Sequence, residues 1–113
     1  MLAESNNNCG ECLRMLGSFY EANEIYEKAL KIIWNQRSEY QDFLSTLYNN
    51  MGICYKVRGK IKQALKLYEE SYRIKMEIYG KEAIKTLETL LNIAVLHDEL
   101  SFHSKAIFFY DEI

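Results

Sequence analysis

The sequence predicts an all-α solenoid built of stacked antiparallel helix pairs, and three observations carry that prediction. Residue types return on a shift of 42 positions: Gly10, Gly52 and Ala94 share one column, Ala22, Ala64 and Ala106 a second, and Tyr26, Tyr68 and Tyr110 a third. Self-similarity at a fixed period in this range marks a repeat architecture. Proline is absent and there are five glycines, which suits long helices and leaves little for β-turns. Apolar residues also recur three or four apart, the spacing of one helix face.

The central copy shows how each element arises. Leu44, Leu47, Tyr48, Met51 and Tyr55 form one stripe, and Gly52 lies on it, where a missing side chain admits a second helix. Gly59 ends that helix, since glycine tolerates the left-handed backbone of a C-terminal cap. A second stripe follows at Ile61, Ala64, Leu65, Tyr68 and Tyr72, so the two helices make an αα-hairpin. One hairpin cannot bury both its faces, which is why it must be stacked.

The first copy repeats this, with a helix from about residue 4 to 16, a turn at Gly17 and a second helix to about residue 36. Phe19, Ala22, Ile25, Tyr26, Ala29 and Leu30 carry its second stripe. The third copy is expected to supply a helix over about 83–100 and another from His103, although Ala94 and Ser101 hold its glycine columns. The expectation is therefore six helices in a single array, with repeats over about 3–44, 45–86 and an incomplete 87–113.

The run Tyr48, Met51-Gly52, Tyr55, Gly59, Ala64, Tyr68, Ser71 resembles the tetratricopeptide repeat. That repeat is usually about 34 residues long. The 42-residue spacing, the NNMG-x-x-Y opening and the closing Tyr79-Gly80 with Thr86-Leu87 look like the kinesin-light-chain type. Ala83-Ile84 stands where that subfamily often has His-Pro. The resemblance covers about 2.7 repeats and implies a right-handed α-solenoid whose work is to bind proteins.

Composition narrows the function. Hydrophobic residues make up 49% and charged ones 27%, the balance of a folded chain rather than a disordered one. A net charge of −2 gives no basic excess for nucleic acid. No apolar run approaches the roughly 18 residues that span a bilayer. The opening MLAESNNN has neither the basic flank nor the apolar core of a secretory signal, and three cysteines without one point to a reducing, cytoplasmic setting.

Candidate chemistry is sparse. Cys9 and Cys12 form a C-x-x-C, a spacing that elsewhere serves zinc or thiol redox. Cys54 shares the Cys12 column, however, and a small apolar residue recurring in a packed column is the simpler reading. No second pair or suitably spaced histidine completes a four-ligand site, so no metal or other cofactor is expected. His97 replaces Tyr55 in its column and is read as a packed ring; His103 aligns with Phe19 and Ile61. Neither gains the positioned partner that acid–base work needs, and no enzyme is expected. Trp34 stands apart, near a helix end where a neighbouring repeat or a ligand could cover it.

The resemblance implies that the first helices of successive repeats line a concave groove. Its column of Asn8, Asn50 and Asn92 offers amides able to pair with both groups of a peptide backbone; the alternative is that each asparagine caps or bridges neighbouring helices. Arg14 and Lys56 align as a basic row, followed by Asp98, while Glu4, Thr46 and Glu88 form another column. The row could hold a carboxylate or be solvated surface charge. Chaperone-binding relatives clamp a C-terminal carboxylate with a set of Lys, Asn and Arg; only Asn50 matches it, whereas Asn7, Glu11, Glu88 and Asn92 do not.

The reading is a protein-binding module that takes a partner's peptide segment in its groove, through Asn8, Asn50, Asn92, Arg14 and Lys56. The alternative is a scaffold section working through its edges and ends. Ile107, Phe108, Phe109, Tyr110 and Ile113 spread apolar surface around more of the last helix than one neighbour can cover. The expectation there is further repeats, a partner or self-association through the C-terminal face.

Overall fold

A computed structural model describes the backbone of residues 2–112 and the side chains of residues 2–100. Five α-helices follow in order: α1 Leu2–Met15, α2 Phe19–Ile33, α3 Gln41–Val57, α4 Ile61–Tyr79 and α5 Ile84–Glu112. A 3-10 turn at Trp34–Gln36 prolongs α2, and no strand occurs among the described residues. α1 pairs with α2 and α3 with α4, while α2 meets α3 and α4 meets α5. Successive pairs therefore stack in chain order, as in a solenoid.

Both hairpin turns are made by glycine in the left-handed region, Gly17 at φ 84° and Gly59 at φ 82°. The N–H of Gly17 donates to Arg14 O at 3.0 Å and that of Ser18 to Leu13 O at 2.8 Å. Gly59 and Lys60 repeat the arrangement on Lys56 O at 3.0 Å and Tyr55 O at 2.8 Å. This is the Schellman cap, which satisfies carbonyls that a helix end leaves open.

The third copy departs from the six helices expected. Its turn column holds Ser101, and α5 passes through that position and continues to Glu112. The reason is local: an L-residue pays a steric penalty for the left-handed conformation that glycine adopts freely. The column assignments of His103, Ala106, Phe109, Tyr110 and Ile113 lie outside the described side chains.

Packing inside the two hairpins follows the predicted columns. A Cβ added to Gly10 would stand 2.7 Å from Tyr26 Cδ1, and one added to Gly52 would stand 2.8 Å from Tyr68 Cε1. Each ring thus lies close against the backbone of the partner helix, and Ala22 and Ala64 are buried as well. One core runs through the first two pairs, including Tyr26, Ile33, Leu47, Met51 and Ile74. A second, of Ala64, Tyr68, Ile93 and Leu96, joins α4 to α5.

Buried polar groups tie the layers. Ser71 Oγ donates to Ser45 O at 2.9 Å, and Asn23 Nδ2 donates to Met51 O at 3.3 Å. Lys75 Nζ reaches Thr89 Oγ1 at 2.9 Å. Each bond spans two helices and supplies a partner to a group that burial would otherwise leave unpaired, at a cost of about 1–3 kcal/mol.

Candidate peptide groove

The first helices of successive pairs lie side by side, with α1 touching α3 directly. Asn50 Nδ2 donates to Asn7 Oδ1 at 3.1 Å across that seam, and both residues are buried. The partner is Asn7, one position before the Asn8 that shares Asn50's column. Adjacent first helices are therefore offset by about one residue, so a column of like residues does not pair with itself.

The expected groove residues differ in exposure. Asn8 is exposed, Asn92 half-buried and Asn50 only 6% exposed. Arg14 and Lys56 are both half-buried, and Asp98 is exposed. Asn49 stands in the Asn7 column, and its Oδ1 is buried with no hydrogen-bond partner.

Arg14 lies next to the buried aromatic and thiol groups. Its Nε and the Tyr26 hydroxyl are both buried without a hydrogen-bond partner. Burial pushes the Tyr26 hydroxyl above its ordinary pKa, and the Arg14 charge opposes that shift. Burial likewise raises the Cys54 thiol, against Arg14 and Arg58. A thiol held protonated is a poor nucleophile and metal ligand.

The cysteine column splits. Cys54 is buried in the core, whereas Cys12 and Cys9 are exposed. The packing explanation thus holds for Cys54, whereas the Cys12 thiol is exposed on α1. Among the described residues no cluster of three or more His, Cys, Asp or Glu could hold a metal ion. His97 is exposed rather than packed. Trp34 is 43% exposed, with the Arg37 guanidinium 4.1 Å from its ring centroid.

Sequence reasoning missed the residues that latch the pairs together. Arg58 sits 4.9 Å from the Tyr20 ring centroid and 5.4 Å from that of Tyr55. Its Nη1 donates to Asn23 Oδ1 at 3.3 Å, and Tyr55 Oη donates to Glu27 Oε1 at 3.4 Å. Arg58, Tyr20 and Asn23 do not recur at the repeat spacing, so column counting passed over them; Tyr55 reads from the sequence only as a packing residue, and Glu27, which recurs as Glu69, reads as surface charge. Asn7 did carry a signal, its recurrence as Asn49.

No helix among the described residues is long and apolar enough to cross a membrane.

Comparison with known proteins agrees with this architecture. The structure is similar to the crystal structure of BtubC (BKLC) from P. vanneervenii, with a TM-score of 0.81 and 24% sequence identity over 87% of this chain. The chain spans 39% of that protein's length. No curated protein matches the sequence significantly. The model of the tetratricopeptide repeat matches residues 1–75 and 43–113, which together cover the whole sequence. Stacked helix pairs, left-handed glycine turns and tyrosines packed on small residues thus have one source: the chain belongs to the tetratricopeptide-repeat family, whose repeats generally serve as protein–protein interaction modules.

Proposed function

We propose that this chain binds a peptide segment of a partner protein along α1, α3 and α5, on the face lined by Asn8, Asn92, Arg14 and Lys56, with Asn50 in the seam beneath it. The observation that carries the reading is the α1–α3 seam closed by Asn50 and Asn7. It fixes the two helices side by side without using the exposed Asn8 amide or the Lys56 ammonium. An asparagine amide accepts and donates at once, as a peptide backbone requires. Arg14 and Lys56 add positive charge suited to a carboxylate on the same segment. A cytosolic setting fits the three free thiols.

The test is to pan a random peptide library against the chain and measure the selected peptides on a double variant, Asn8→Ala with Lys56→Ala. Binding should weaken by about 2–4 kcal/mol, two lost hydrogen bonds of which one is charged. Selected peptides that bind the double variant equally well would contradict the groove reading.

A second reading has its own support. The chain could act as a scaffold section through its edges and ends, and the exposed apolar residues Ile84, Leu87 and Leu91 of α5 favour it. Under that reading library panning yields no peptide sensitive to the groove variant.

A further inference from the structure

The side of α5 that should face a second helix is bare. Ala3 and Ser45 are wholly buried at 0% exposure, whereas Leu87 in the same column is 48% exposed. Gly10 and Gly52 lie against tyrosine rings, while Ala94 in their column is exposed. Tyr48, Leu13 and Tyr55 are half-buried; Leu90, in the Tyr48 column, and His97, in the Leu13 and Tyr55 column, are exposed. The columns that α2 and α4 cover in their own pairs are thus the ones left open on α5.

The sequence that would cover them is present in the chain. Residues 103–113 hold Ala106 in the column of Ala22 and Ala64, and Tyr110 in the column of Tyr26 and Tyr68. Because α5 runs unbroken to Glu112, positions 94 and 110 stand about 24 Å apart along one straight helix, at 1.5 Å per residue. A straight helix cannot fold that segment onto its own bare face. Another copy can.

The register is self-consistent. In the closed pairs position 10 meets position 26 and position 52 meets position 68. The same antiparallel pairing in the third repeat sets position 94 against position 110, and its midpoint is Phe102. Two α5 helices crossing antiparallel at Phe102 would each present residues 103–113 to the other's bare face, reciprocally. That is a closed two-fold interface of the exchanged-element kind.

We propose that two copies of this chain associate by exchanging the C-terminal part of α5 about a two-fold axis beside Phe102, with Ser101 as the residue that keeps α5 straight. The proposal does not depend on the groove. Sedimentation equilibrium of the 113-residue chain tests it, in reductant so that the exposed Cys9 and Cys12 cannot link copies. The wild type should be a dimer at micromolar concentration. Leu90→Glu, on the bare face, should give a monomer. Ser101→Gly frees the turn used at Gly17 and Gly59, so it should weaken the dimer by at least about tenfold, as each chain closes on itself. A monomeric wild type overturns the proposal. A dimer unmoved by Leu90→Glu overturns the surface, and one unmoved by Ser101→Gly overturns the exchange in favour of simple face-to-face stacking.

Discussion

Asn50 donates its amide hydrogen to Asn7 Oδ1 at 3.1 Å, joining α3 to α1 inside the seam between two repeats. The bond gives Asn50 a structural task, whatever it also does for a ligand. Removing it strands a buried acceptor, which costs more than the bond itself contributes.

Asn50→Ala should therefore lower stability by about 1–3 kcal/mol. Urea melts of Asn50→Ala, Asn7→Ala and the double variant measure it. The double variant should cost less than the two single changes summed, since it leaves no unpaired amide behind. Additive effects would show that the two side chains do not depend on each other.

The tyrosine–glycine contacts predict a sharper response. Gly52→Leu places atoms where the Tyr68 ring stands, and Ala64→Leu overfills the fully buried position beside it. Each should destabilise by about 1–3 kcal/mol, the usual cost of overpacking. Unchanged thermal melts would mean that the helix faces are misassigned.

Alkaline pH should unfold the protein through the same rings. Burial, with the charges of Cys54 and Glu99 adding to it, pushes the Tyr68 hydroxyl up to about 12 from 10.0. The folded state holds this proton more tightly than the unfolded chain does. The stabilisation is therefore complete below pH 10, where both states are protonated, and is lost as pH rises from 10 towards 12. Tyr68→Phe should flatten the decline in that window when helix content is followed by circular dichroism. An identical decline in the variant would assign it to other groups.

The fold was legible because it rests on periodic features: Gly10 and Gly52 under their tyrosines, and Gly17 and Gly59 at the turns. Each is a backbone requirement repeated at a fixed spacing, and a repeat displays its requirements more than once. The straight α5 was less legible, because Ser101 reads as a weak copy of a turn until the neighbouring left-handed glycines show what the turn demands. The Asn50–Asn7 pair escaped for a related reason: columns reveal which residues are equivalent, not the one-residue offset at which adjacent helices meet. Arg58 and Tyr20 escaped because neither recurs at the repeat spacing.

Lys56 offers a test of the basic row on its own. Lys56→Glu reverses its charge at a half-buried position, and it should weaken binding of carboxylate-bearing peptides more than of their amidated forms. Titrations at low and high salt check this, since screening should shrink the difference. Equal losses for both peptide forms would remove charge from the proposed recognition.

The most direct measurement is an amide-resolved NMR titration of the chain with a library-selected peptide. The account predicts shifts concentrated on α1, α3 and the first part of α5, around Asn8, Lys56 and Asn92, with α2 and α4 nearly silent. Shifts centred on α2 and α4, or confined to the bare side of α5 around Leu87 and Leu90, would contradict it.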